Sequence, residues 1–292
     1  MTDNALDQAR TLLNELTEAA RKGHIIPVRL TGQLEAIGQA LEQAAEEQAA
    51  AVPAAAPDLE AYKQELGAML THGFHDLRLP LTSIRGYSDM MGNAAMGELN
   101  DMQKQFLGTI RTNTKRMESL LTDVSDMSKL WNGTLKVGPK MEMFKNVAGL
   151  VEKAMKPLAD ELGRTLEFDL PQGLPLLNVD TDLLVKALNK LVENALRYIE
   201  GEGGVVRVSG QGDGNSLQIQ IQDNGIGITP EELEKLGTPF FRSDNELVLS
   251  YKGSGLGIPI TMGLMRLIGG SVHFESQPGQ GTVVTIRLAG MS

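Results

Sequence analysis

Apolar residues Leu70, Phe74, Leu77, Leu81, Ile84 and Met91 recur at alternating four- and three-residue steps, with Ser88 filling the one gap. That spacing predicts a helix with a bundle-forming seam. A second helix is predicted from Phe106, Ile110, Met117, Leu121, Val124 and Trp131, which share one face, and GNAAMGELND (Gly92 to Asp101) supplies turn residues between the two. Residues 58 to 131 therefore read as a helical hairpin. One hairpin cannot bury two such stripes fully, so a homodimer that closes a four-helix bundle is expected. Upstream, Leu6, Ala9, Leu12, Leu13, Leu16 and Ala20 make a helical stripe ending near Gly23. A second helical pattern runs from about Thr31 to Ala51, and AAAVPAAAPD (Ala49 to Asp58) reads as a linker.

From about Thr134 the periodicity changes to a mixture of helix and strand. Strands are predicted at Leu135 to Val137, Thr165 to Phe168, Val205 to Ser209, Leu217 to Gln222, Ser271 to Glu275 and Thr282 to Leu288. Helices are predicted near 146–162, 180–199 and 255–268. The fold class is thus α+β and multidomain, with a helical N-terminal segment at 1–57, the helical hairpin at 58–133 and an α/β sandwich domain at 134–292. At 292 residues the chain can bury two modest cores.

Charge and composition narrow the function. A formal charge of −10 and a pI near 5.0 leave no basic stripe for neutralising phosphates, so no nucleic-acid partner is expected. The absence of cysteine excludes disulfides and thiolate metal sites. No apolar run approaches the ~18 residues a membrane span needs, and acidic Asp3 and Asp7 stand where a signal peptide would be basic. A cytoplasmic chain without a direct membrane span is expected.

The chemistry begins at FHDLRLPLTSI (Phe74 to Ile84). His75 follows a seam position, so its ring should project from the flank of the bundle. Pro80 has no N–H to offer the carbonyl of Asp76, so the helix should bend beside the histidine. Asp76 can accept a proton from one imidazole nitrogen while the other attacks an electrophile. On its own, a flank histidine reads more readily as solvated surface. Three further motifs follow in fixed order: LNKLVENALRYI (Leu188 to Ile199), QDNGIGI (Gln222 to Ile228) and KGSGLGI (Lys252 to Ile258). TPFFRSD (Thr238 to Asp244) lies between the two glycine motifs, and ESQPGQGT (Glu275 to Thr282) comes last.

In this order the motifs resemble the H, N, G1, F and G2 boxes of the sensor histidine kinases of two-component systems, over roughly residues 60 to 290. The resemblance implies a dimerisation and phosphoacceptor hairpin, then an ATP-binding sandwich of the kind shared with gyrases, heat-shock chaperones and mismatch-repair ATPases. Its reaction would be ATP-dependent phosphorylation of His75 with Asp76 as proton acceptor, and onward transfer to an aspartate of a response-regulator receiver domain. Asp223, at the end of an alternating strand, would accept from the exocyclic amine of adenine, while Gly225 and Gly227 allow close backbone approach. Asn194 would ligate Mg²⁺ through its amide oxygen, Arg197 would stand in for the family's usual lysine near phosphate, and Tyr198 would line the cleft. Gly253, Gly255, Leu256 and Gly257 would present backbone amides and a helix N-terminus to phosphate, with Arg242 and Lys252 as candidate countercharges and residues 243–252 as a lid.

Two positions depart from the family pattern. Lys190 stands where asparagine or histidine is usual, one turn before the metal ligand, and would either contact phosphate or weaken metal binding. Leu79 stands where threonine or asparagine usually positions the water that dephosphorylates the regulator. These departures keep open a non-catalytic dimeric ATP-binding scaffold; the other alternative, an ATPase or serine kinase of the same superfamily, is disfavoured because its members generally carry a glutamate where Lys190 stands. Residues 1–57 are similar to a HAMP signal-transfer module, or else form a coiled-coil extension of the dimer.

Overall fold

The computed structural model describes residues 77–93, 97–212, 215–251 and 253–291, together with isolated helical positions between 11 and 36. The predicted N-terminal helices and linker, Leu70, Phe74, His75, Asp76 and Lys252 lie outside the described residues, apart from those isolated positions. The chain divides at Gly133/Thr134 into two compact units.

In the first unit, helix α1 covers residues 77–91 and helix α2 spans Asp101–Trp131. The start of α2 is set by a capping box: the Asn100 side chain accepts from the Gln103 amide at 2.8 Å and the Gln103 side chain accepts from the Asn100 amide at 2.9 Å. Asp101 in the first turn and Lys129 in the last complement the helix dipole. The two helices run antiparallel, tied by Arg85 to Glu118 at 3.0 Å and Arg111 to Asp89 at 3.1 Å. Leu77, Leu81 and Ser88 of α1 and Leu107, Thr114 and Leu121 of α2 are buried. Two of the buried hydroxyls donate to carbonyls of their own helices, Ser88 to Ile84 at 2.7 Å and Thr114 to Ile110 at 2.8 Å.

This packing departs from the expected stripes at three places. Met91, Phe106 and Ile110 remain 54%, 60% and 43% exposed. Over the first two thirds of α2 the buried line instead follows a seven-residue step through Leu107, Thr114 and Leu121, and beyond it Asp123, Ser125, Asp126, Met127 and Ser128 are buried as well. One partner helix covers one narrow line, so the neighbouring apolar residues stay uncovered within a single chain.

The second unit is a two-layer sandwich. Its strands are β1 (Lys140–Met143), β2 (Thr165–Asp169), β3 (Leu176–Val179), β4 (Val205–Gly212), β5 (Ser216–Asp223), β6 (Ser271–Gln277) and β7 (Gly281–Ala289). The helices are α3 (Phe144–Glu161), α4 (Thr181–Arg197), α5 (Pro230–Leu233), α6 (Glu246–Ser250) and α7 (Gly257–Leu267). Five strands form a mixed sheet in the order β2-β4-β5-β7-β6, parallel between β2 and β4 and antiparallel elsewhere. Helices α3, α4 and α7 pack on it and on each other. The strands alternate as a half-buried sheet requires: Leu217, Ile219 and Ile221 are fully buried, while Gln218, Gln220 and Gln222 stand on the other face. On α4 the positions 183, 184, 187, 188, 191, 192, 195 and 196 are buried, the 3.6-residue stripe that seats it against the sheet.

Residues 135–137 are not the predicted strand. The Gly138 amide donates to Asp180 Oδ2 at 2.7 Å, which holds this stretch against the start of α4, where Asp180 Oδ1 also caps the helix through the Leu183 amide. The strand begins at Lys140 and pairs with β3, an element the pattern did not predict. Both are four-residue strands, and only Leu177 and Val179 are buried, too little periodicity to read without the pairing.

Candidate nucleotide site

Four pieces of chain meet at one edge of the sandwich: the end of α4, the loop after β5, the turn between β6 and β7, and the loop from Thr238 to the start of α7. The first contact follows from the strand. Alternation along β5 buries Ile221 and brings Asp223 to the strand end, where its Oδ1 accepts from the Gly225 amide at 2.9 Å and the Thr282 amide at 3.1 Å. The carboxylate thus ties its own loop to β7. Burial pushes the Asp223 carboxyl up to about 6, against the lowering effect of these two hydrogen bonds.

The glycines fix the approach of the neighbouring segments. A Cβ on Gly225 would lie 2.3 Å from the Tyr198 carbonyl oxygen, and one on Gly227, whose φ is +69°, would lie 2.0 Å from that of Gln277. Neither clash can be relieved by a side-chain rotation, since both atoms are backbone. The Ile226 amide donates to the Tyr198 carbonyl at 2.9 Å and the Gly279 amide to the Ile226 carbonyl at 2.7 Å. Ser276 completes the join, accepting from the Ile228 amide at 2.9 Å and donating to the Gly281 carbonyl at 2.8 Å.

Asn194 and Gly257 come together where α4 packs against α7, with a Cβ on Gly257 3.9 Å from the Asn194 side-chain nitrogen. Leu256, just before α7, is fully buried. Gly255, at φ +68°, lies against the backbone of Phe240, and its carbonyl accepts from the Phe240 amide at 3.2 Å. Gly253 has open space beside it. Arg197 pairs with Glu193, Nη2 to Oε1 at 2.8 Å and Nε to the same oxygen at 2.9 Å. Its guanidinium also sits 5.3 Å from the ring centroid of Tyr251, which meets the Tyr198 ring edge-on at 6.1 Å. Burial pushes the Tyr198 hydroxyl up, partly offset by the charges of Arg242 and Arg197.

The structure thus brings together Asn194, Arg197, Tyr198, Asp223, Gly225, Gly227, Gly255, Leu256 and Gly257 around one edge. Arg242 Nη2 donates to the carbonyls of Val248 and Tyr251 and braces the loop between them. Sequence reasoning missed Tyr251 and the Thr282 amide. The second had a signal, the glycine-bounded ESQPGQGT turn; the first had none. Among the described residues no cluster of three or more His, Asp or Glu could hold a metal, and no helix is long and apolar enough to cross a membrane.

The Asp223 carboxyl carries a consequence for stability. Its folded-state value lies above the ordinary 3.8, so the folded domain binds the proton more tightly than the unfolded chain does. Its favourable contribution is full below pH 3.8 and is lost as the pH rises through about 6. Asn at this position keeps an oxygen for both amides and removes the buried charge. Asp223→Asn is expected to stabilise the ligand-free protein at pH 8 by on the order of 1–3 kcal/mol, with the gain disappearing near pH 4, as measured by thermal melts at the two pH values.

A helical hairpin followed by a sandwich with glycine-bounded loops at one edge is an arrangement found among known proteins. The family described as the His Kinase A phospho-acceptor domain matches residues 65–133, and the histidine kinase-, DNA gyrase B- and HSP90-like ATPase family matches residues 179–290. The chain belongs to the sensor histidine kinases of two-component systems. It is 32% identical to the histidine protein kinase DivJ of Caulobacter vibrioides over 240 residues, 79% of this chain and 38% of that protein. A sensor-like histidine kinase of Rhizobium meliloti is 31% identical over 217 residues, 73% of this chain and 41% of that protein. The chain therefore spans about two fifths of the length of these relatives. The solved structure of full-length ShkA in complex with AMPPNP has the same fold, with a TM-score of 0.64 and 23% identity over 78% of this chain and 46% of that one.

Proposed function

We propose that this protein is an ATP-dependent histidine protein kinase that phosphorylates its own His75 and passes the phosphoryl group to an aspartate of a response-regulator receiver domain. The observation that carries this reading is the Asp223 anchor. A half-buried carboxylate with one oxygen held by two backbone amides would keep its second oxygen as an acceptor for the amine of adenine, on a loop that Gly225 and Gly227 let pack against the Tyr198 and Gln277 backbone. Arg197 and the amides of Gly253 to Gly257 would meet the phosphates, and Asp76 would take the proton of His75. Asn194 offers one neutral oxygen, which suits Mg²⁺ that keeps its other positions for water and phosphate oxygens and does not suit a metal caged by protein alone.

The division of labour proposed is a signal-relaying segment at 1–57, a phosphoacceptor hairpin at 58–133 and an ATP-binding domain at 134–292. The uncovered Phe106 and Ile110 support a homodimer, since a second hairpin would bury them. ATP and receiver domains both belong to the cytoplasm, which is where the reaction is proposed to run. The test is incubation of the purified full chain with radiolabelled ATP and Mg²⁺. An acid-labile, base-stable protein adduct is expected. Bound nucleotide with no adduct would favour the non-catalytic scaffold that Lys190 keeps open, and steady phosphate release without an adduct would favour an ATPase.

The same reading makes Leu79 informative, because it is 66% exposed and lies four residues after His75 in the sequence. Leucine cannot position a water by hydrogen bonding. Decay of purified phospho-regulator in the presence of ADP is expected to be slow with the wild type and at least several-fold faster with Leu79→Thr. Fast decay with the wild type would instead assign Leu79 to the docking patch for the regulator.

A further inference from the structure

The segment from Ser243 to Tyr251 crosses the edge of the candidate site without a core of its own. No residue of α6 is buried, and Leu249 is 53% exposed. The helix is capped locally by Asn245, which accepts from the Leu247 amide at 2.9 Å, and this bond fastens it to nothing else. A hydrogen bond between the Ser243 side chain and the Glu232 carboxylate ties its start to α5, and two further contacts hold the rest of the segment. Arg242 donates to the carbonyls of Val248 and Tyr251, both within the loop region itself. The other is the Tyr251 ring, which reaches across to the end of α4, edge-on to Tyr198 and beneath the Arg197 guanidinium.

That second contact lands on two residues of the proposed nucleotide cleft. Tyr198 is joined through its carbonyl to the Ile226 amide, and so to the loop that carries Gly225 and Gly227. Arg197 is shared between the Glu193 carboxylate and the Tyr251 ring. An aromatic face and an edge contact of this kind each contribute modestly, but they are the only ring contacts that link the loop to α4 among the described residues.

We propose that Tyr251 is a positioning residue that clasps the loop 243–251 onto the Arg197–Tyr198 end of α4, so that closing the loop and holding a purine nucleotide become one equilibrium. A nucleotide that fixes Arg197 and Tyr198 strengthens the clasp, and by reciprocity the clasp strengthens nucleotide binding. The ring does this work; the hydroxyl is dispensable. This inference rests on the nucleotide reading of the site.

The experiment is hydrogen exchange of the 243–251 segment in the full chain, with and without ADP, alongside ADP affinity by calorimetry, for wild type, Tyr251→Ala and Tyr251→Phe. Tyr251→Ala is expected to speed exchange of the segment at least fivefold without ADP, to lose most of the ADP-induced protection, and to weaken ADP binding roughly fivefold. Tyr251→Phe is expected to behave as the wild type. Exchange in β5 should be the same in all three, which separates a lost clasp from a damaged fold. Unchanged exchange and affinity in Tyr251→Ala would overturn the proposal, as would a phenylalanine variant that behaves like the alanine one. If the wild type binds no ADP, the nucleotide reading fails, while the exchange measured without ADP still decides whether the ring holds the loop.

Discussion

Gly227→Ala is expected to abolish measurable ADP binding and to lower the thermal midpoint of the sandwich domain. The added methyl would lie 2.0 Å from the Gln277 carbonyl oxygen and 2.7 Å from its carbon, on a residue whose φ of +69° already disfavours any side chain. Relief requires the loop after β5 to move away from the β6–β7 turn, which breaks the Gly279 to Ile226 hydrogen bond of 2.7 Å and strains the Ser276 bridge. The expected cost is on the order of 2–4 kcal/mol of stability, the range for backbone effects at a position with a special conformation. Calorimetry and thermal melts check both halves. Near-normal affinity would mean that the loop does not form the base-facing wall assigned to it. Gly253→Ala serves as the control, because nothing lies within 4 Å of a Cβ there and its φ is not positive, so the domain should melt as the wild type does.

The second large effect is chemical. His75→Gln is expected to eliminate labelling by radiolabelled ATP, at least a hundredfold below wild type, while leaving ADP affinity unchanged. Glutamine fills similar space and can hydrogen-bond, but it has no nitrogen lone pair of comparable nucleophilicity. His72 lies only three residues earlier, so His72→Gln is the necessary companion, and it should retain most of the labelling. Label in the His75→Gln protein would move the phosphoacceptor elsewhere. The pair separates the chemistry of the hairpin from the binding chemistry of the sandwich, since neither substitution falls in residues 134–292.

What the sequence made legible is what periodicity encodes. The alternation of Leu217, Ile219 and Ile221 gave strand β5 within a residue at each end, and so the position of Asp223 at its tip. The stripe on α4 likewise placed Asn194 and Tyr198 at the end of one helix. Three things escaped, each for a physical reason. The β1–β3 pair is stabilised by partners some 36 residues apart in sequence, with only two buried side chains, so no local pattern announces it. The bracing of the loop by Arg242 escaped because a side chain's partners are set by where the loop returns, here onto the Val248 and Tyr251 carbonyls. Tyr251 was invisible because its contacts, Arg197 and Tyr198, come from a helix more than fifty residues earlier. On the hairpin, the apolar pattern identified Phe106 and Ile110 as candidates for burial without distinguishing a partner within the chain from one in a second copy.

The strand order has a consequence for biosynthesis. In β2-β4-β5-β7-β6 the strand latest in sequence is interior, hydrogen-bonded to β5 on one side and β6 on the other. Before residues 281–289 leave the ribosome, β6 has no neighbour in the sheet, β5 presents an open edge, and Asp223 lacks the Thr282 amide. The hairpin, whose inter-helix contacts all lie within residues 77–131, is complete in the chain long before that point, while the sandwich must wait for its last strand and then close by pairing across the whole unit. A nascent chain held short of Gly281 should therefore carry a folded hairpin tethered to an unfinished sheet, a substrate for chaperones and proteases.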